Sequence, residues 1–109
     1  MAAADDVLTE AQIDEALAEL PGWRYRLGGL AAVYKAPTAA AALAMIAAVG
    51  RLAEEQNHHP DLEWRYRRVV LRYSSHDAGD KVTRRDVAAA TAASAAAAGI
   101  GATAEPPPQ

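Results

Sequence analysis

Apolar residues recur along the chain at two periods, about 3.6 and 2, and the changes of period predict its elements. Ile13, Ala16, Leu17 and Leu20 fall on one face of a helix. Thr9-Glu10-Ala11-Gln12 reads as its capping box, and Pro21-Gly22 ends it near Leu20. Trp23, Tyr25 and Leu27 then alternate with Arg24 and Arg26, the pattern of a half-buried strand. Gly28-Gly29 suits a two-residue hairpin turn with positive φ, and a second strand returns over Leu30 to Lys35. Thr38 caps a long helix over Ala39 to Gln56, whose apolar stripe is Leu43, Ile46, Ala47, Leu52 and Ala53. Gly50, disfavoured in a helix by roughly 1 kcal/mol relative to Ala, suggests a close helix contact there. Pro60 disfavours helical geometry at His59, so this helix stops around Asn57 or His58.

Leu62, Trp64 and Tyr66 alternate with Glu63, Arg65 and Arg67 as a third strand, and the two aromatics read as core. Val69, Leu71 and Tyr73 alternate with Val70, Arg72 and Ser74 as a fourth. The break at Arg67-Arg68 carries no Gly or Asn, so no turn type is indicated. Ser75 to Lys81 is a polar loop. Thr83-Arg84-Arg85-Asp86 opens an Ala-rich helix that runs to about Ala98 and ends at Gly99, with Asp86 well placed for the helix dipole. The order α-β-β-α-β-β-α predicts an α+β fold: a four-stranded antiparallel sheet with helices packed on one face. The domain is expected over residues 9–99, with a flexible N-terminus at 1–8 and a disordered Pro-rich tail at 100–109.

A length of 109 residues admits one domain. Much of its apolar content is alanine and Phe is absent, so the core leans on Leu, Ile, Val, two Trp and four Tyr. Such a core is modest, which makes oligomerisation an expected source of stability. The net charge of −3 argues against direct nucleic-acid binding or an anionic membrane surface. The exception is a local run of four arginines from Arg65 to Arg72. Arg65, Arg67 and Arg72 fall on polar strand faces and read as solvated or interface surface. Zero cysteine excludes disulfides and thiolate metal sites. Met1 to Asp6 lacks the basic start and apolar run of a signal peptide, and no stretch is apolar enough to span a bilayer. The default location is the cytoplasm.

All three histidines lie within His58 to His76, two of them adjacent in Asn57-His58-His59-Pro60. Imidazole is the side chain whose ordinary pKa lies nearest neutrality. The predicted elements put His58 and His59 at a helix exit, His76 just past a strand end, and Asp86 in a helix first turn. Such a set can converge on one pocket and serve general acid–base chemistry, worth about 10²–10⁴-fold. The rival is ordinary: one His at a helix C-terminus and the others polar surface. On spacing alone the two stand level. A metal site is disfavoured, since adjacent His diverge on regular elements and no HExxH motif or Cys accompanies them.

The spacing Glu54-x3-His58-His59-Pro60, then Tyr66, His76 and Asp86, resembles the pterin-4a-carbinolamine dehydratase family. The similarity covers nearly the whole domain: Leu-Pro-Gly-Trp at 20–23, Ala-Glu-Glu-Gln-Asn-His-His-Pro at 53–60, Ser75-His76-Asp77-Ala78-Gly79, and Thr83-Arg84-Arg85-Asp86-Val87. The interval from His76 to Asp86 is one residue longer than in familiar members. The resemblance implies a hydro-lyase that dehydrates 4a-hydroxytetrahydrobiopterin to quinonoid dihydropterin without metal or organic cofactor. It implies catalytic roles for His58, His59, His76 and Asp86. It implies substrate contacts at Glu54, Pro60, Ser75, Asp77 and Ala78 as well as at the three His. It also implies a homodimer or homotetramer. The alternatives it carries are a non-catalytic pterin-binding or transcriptional coactivator protein of the same fold, or a role in molybdopterin metabolism.

Overall fold

The computed structural model describes residues 7–105; the expected flexibility of residues 1–6 and disorder of 106–109 lie outside them. Helix α1 (Glu10–Leu17) begins on the Thr9 capping box, and strands β1 (Arg24–Arg26) and β2 (Gly29–Lys35) form a hairpin. Helix α2 (Ala39–Gln56) starts on Thr38 and ends with Asn57 in the left-handed conformation. Strands β3 (Asp61–Arg65) and β4 (Arg68–Tyr73) follow, then a 3-10 turn over His76–Ala78, helix α3 (Arg84–Ile100) and strand β5 (Thr103–Glu105).

The fold is α+β with an antiparallel sheet, as expected, but with five strands rather than four. β2 lies beside β4, which lies beside the edge strand β3. Along its other edge β2 pairs first with β1 and then with β5. Residues 100–105 therefore do not run free. The last helix passes through Gly99 and ends on Gly101 (φ 85°), which turns Thr103–Glu105 back onto β2. Arg68 clamps the far end of β5 through Glu105 at 2.8 Å. At the other terminus Val7 bridges Thr83 and Leu8 N–H donates to Val82 O.

Leu30, Ala32 and Tyr34 of β2 and Val69, Leu71 and Tyr73 of β4 turn to the helices and are buried. Against them pack Ala42, Met45, Val49 and Ala53 of α2 and Ala89, Ala90, Ala93 and Ala97 of α3. The stripe expected on α2 is thus rotated: of its members only Ala53 is buried, while Leu43 is exposed. α2 instead turns inward the face bearing Ala42, Met45, Val49 and Ala53, which shares one core with the alanine column of α3. Gly50 is not a close contact; a Cβ there would meet nothing within 4 Å.

The hairpin turns also differ from expectation. The β1–β2 turn is Leu27-Gly28, both at positive φ (50° and 76°), and Gly29 belongs to the strand. Gly29 is needed there because a Cβ would lie 2.6 Å from Tyr73 O. Leu27 and Tyr25 are consequently exposed rather than half-buried, Leu27 at 78%. The β3–β4 turn is Tyr66-Arg67, with Tyr66 at φ 56°. Trp64 and Tyr66 are exposed, not core, because no helix covers the β3 edge.

Candidate active site

Asp86 is where three elements meet. It is the third residue of α3, where its Oδ2 accepts the Thr83 backbone N–H at 2.8 Å, closing the capping box. The same oxygen lies 2.8 Å from Ser75 Oγ, at the end of β4. Its other oxygen, Oδ1, lies 2.6 Å from His58 Nε2, just past the end of α2. The carboxyl is fully buried (0%), and the His58 side chain is 10% exposed. An ionised carboxylate can only accept, so, opposite one, Nε2 is the donor of this bond, and Nδ1 is then the acceptor nitrogen whenever the ring is neutral.

Two further restraints hold His58. Its backbone N–H donates to Ala53 O, made possible by the left-handed turn at Asn57. Its ring stacks on Tyr73, centroids 6.0 Å apart and planes 15° from parallel. Tyr73 is stacked in turn on Trp23 at 6.0 Å. Burial pushes the Tyr73 hydroxyl pKa up to about 12. The floor beneath the imidazole is therefore apolar and neutral below that pH.

The other two histidines face outward, each beside its own carboxylate. His59 Nε2 lies 2.7 Å from Glu54 Oε2, and His76 Nδ1 lies 2.5 Å from Asp80 Oδ1. Both pairs are largely exposed. Asp77 forms two 2.9 Å hydrogen bonds with Arg85. Those bonds hold its carboxyl below its ordinary pKa, with the nearby His58 adding a smaller pull in the same direction. Ala78 lies in the 3-10 turn with its N–H on Ser75 O, and Pro60 leads directly into β3. Among the described residues no group of three or more His, Asp or Glu could hold a metal ion. A cavity of about 620 Å³ opens beside the same loop, lined by Ile13, Tyr25, Asp80, Lys81 and Val82 among others; its lining contains no histidine.

The family described as pterin 4 alpha carbinolamine dehydratase matches residues 6–96. The chain belongs to this family. A Streptomyces coelicolor protein provisionally named pterin-4-alpha-carbinolamine dehydratase is 40% identical over 95 residues, 87% of this chain and 94% of that one. A Mycolicibacterium smegmatis protein with the same provisional name is 40% identical over 81 residues, 74% of this chain and 85% of its own length. A crystal structure described as a transcriptional coactivator/pterin dehydratase from Brucella melitensis superposes with a TM-score of 0.79 at 29% identity, covering 84% of this chain and 98% of that one.

Within this dehydratase-family chain, the fold joins His58, Ser75 and Asp86 through hydrogen bonds and gives His59 and His76 partners of their own. Sequence reasoning missed three neighbours. Asp80 stands four residues from His76, but in a segment without helical pattern that spacing carried no signal. Its left-handed backbone (φ 59°) and its N–H bond to Ser75 O set it there. Tyr73 was legible as a core residue of β4, but not as the surface beneath His58. Thr83 was legible as a cap, and that cap brings its hydroxyl within 2.8 Å of Ser75 Oγ.

Proposed function

We propose that the protein is a hydro-lyase that removes water from 4a-hydroxytetrahydrobiopterin by histidine acid–base catalysis. In that reaction the C4a–O bond breaks as an acid protonates the departing hydroxyl. A base takes the N5 proton, and the N5–H electrons form the C4a=N5 bond of the quinonoid dihydropterin. His58 and His76 form the acid–base pair, His59 positions the pterin, and Asp86 orients His58. Glu54, Pro60, Asp77 and Ala78 belong to the substrate-contacting rim. The observation that carries this reading is the 2.6 Å bond from the half-buried His58 to the fully buried Asp86 in a chain of this family. A carboxylate fixed to one imidazole nitrogen sets the ring for proton transfer at the other. The test is steady-state carbinolamine decay with His58→Ala and His76→Ala. Each is expected to slow turnover by roughly 10²-fold or more; near-full rate in both removes the proposal.

We further infer that the working form is a homo-oligomer built on the β3 edge. All of Asp61–Arg65 is exposed, including Trp64 at 50%. A second copy paired antiparallel about Glu63 would set Asp61 opposite Arg65 and Leu62 opposite Trp64. That register sets Asp61 against Arg65 on one sheet face, where Glu63 meets its own copy at the axis with its charge paired to Arg65, and sets apolar pairs on the other face.

A further inference from the structure

Ser75 joins β4 to the 3-10 turn, and every polar atom it has is engaged inside the protein. Its N–H donates to Lys81 O at 3.0 Å, and its carbonyl accepts from Ala78 N at 3.1 Å and Asp80 N at 3.0 Å. Its Oγ lies 2.8 Å from both Thr83 Oγ1 and Asp86 Oδ2. The residue is 1% exposed. No part of it remains to face a substrate.

Counting protons gives these bonds a direction. A hydroxyl carries one hydrogen and a carboxylate none, so Ser75 donates to Asp86. Thr83 Oγ1 is 2.8 Å from Ser75 Oγ but 3.5 Å from Asp86 Oδ2, so Thr83 donates to Ser75. Thr83 Oγ1 itself accepts the Arg85 N–H at 3.2 Å. The hydroxyls thus form a one-way chain, Thr83 to Ser75 to Asp86, whose bonds polarise one another. It ends on the carboxylate whose other oxygen holds His58.

We propose that Ser75 is a positioning residue: its hydroxyl, oriented by Thr83, holds the Asp86 carboxylate toward His58 so that the imidazole keeps its hydrogen on Nε2 and presents Nδ1 to the reaction. This rests on the dehydratase reading and deepens it, moving Ser75 from substrate contact to support of a catalytic imidazole.

Long-range ¹H–¹⁵N spectra of the full-length protein test the first half without turnover. Neutral His58 is expected with hydrogen on Nε2; a neutral ring with hydrogen on Nδ1 overturns the proposal. Ser75→Ala is expected to lower kcat roughly tenfold, the scale of one hydrogen bond to a charged group. KM should stay within twofold, and the His58 signals should move toward a tautomer mixture. Ser75→Thr, which restores the hydroxyl, should recover both. Should Ser75→Ala fail to fold, Ser75→Cys keeps the volume with a weaker donor and is expected to act in the same direction. A raised KM at unchanged kcat would make Ser75 a substrate contact and overturn the assignment. Unchanged kcat with an unchanged tautomer would overturn it as well. A wild-type protein with hydrogen on Nε2 but no dehydratase activity would instead sink the functional reading, leaving the Ser75→Ala spectrum to decide positioning.

Discussion

The two oxygens of Asp86 serve different elements, one the start of α3 and the other His58. That arrangement ties the imidazole to a helix terminus rather than to a loop. Tyr73 completes it from below, and its pKa of about 12 makes a further outcome testable. The native state holds the phenol proton to higher pH than the unfolded chain, whose phenols ionise near 10. Stability from this group is therefore fully present below about pH 10 and is lost as pH rises through 12. Urea midpoints compared at pH 9 and 11 should fall more for the wild type than for Tyr73→Phe; equal falls would refute the assignment. The exposed pairs His59–Glu54 and His76–Asp80 are of the kind that contributes little to stability. Their rings can turn toward a ligand at small cost. The histidines and Asp86 were legible in the sequence because their residue types are rare or caught by a local rule, the capping box. Asp80 was not, because its backbone conformation and its pairing with His76 come from a closed loop rather than from a period.

Among the elements, β5 departs furthest from the sequence reading. Three prolines follow it, and composition alone made the whole segment a tail. What holds it is local: Gly101 reverses the chain, the Tyr34–Ala104 register joins it to β2, and Arg68 pairs with Glu105. Gly22, in the Leu-Pro-Gly-Trp motif, makes room for it. Its φ is +88°, and a Cβ on it would lie 2.3 Å from Ala104 Cβ. Gly22→Ala should thus destabilise the fold by at least about 1–2 kcal/mol from the left-handed backbone alone. It should also undock β5, read as faster amide exchange at Ala104 than in the wild type. Wild-type exchange there would show that β5 docks without this clearance. On α2 the bounds were legible from Thr38 and Pro60, but the buried face was not. The stripe that turns inward is the one that shares a core with the alanine column of α3.

At the scale of the molecule, helices cover one side of the sheet and leave its β3 edge open. Along the bare face run Arg68–Glu105, Arg72–Asp61 and Arg65–Glu63, so much of the arginine run is paired within the sheet. Arg72 also donates to Leu27 O, tying β4 to the β1–β2 turn. The exposed Leu62 and Trp64 are left for a second copy. Trp64→Glu would place two like charges near the two-fold axis and is expected to shift the protein to a monomer in analytical ultracentrifugation. Monomeric wild-type protein, or a Trp64→Glu variant of unchanged mass, would remove the β3-edge assembly.

By itself the sequence determined the order of helices and strands up to α3, the caps at Thr9, Thr38 and Thr83, and the residues of the His–Asp constellation. These are local properties, set by period, by backbone sterics and by side chains bonding a few residues away. Only the tertiary structure decided that Asp86 reaches His58 across 28 residues of sequence, that Ser75 turns inward, and that Thr103–Glu105 joins the sheet. Each depends on which surfaces are buried together, and burial is a property of the assembled layers rather than of any one segment.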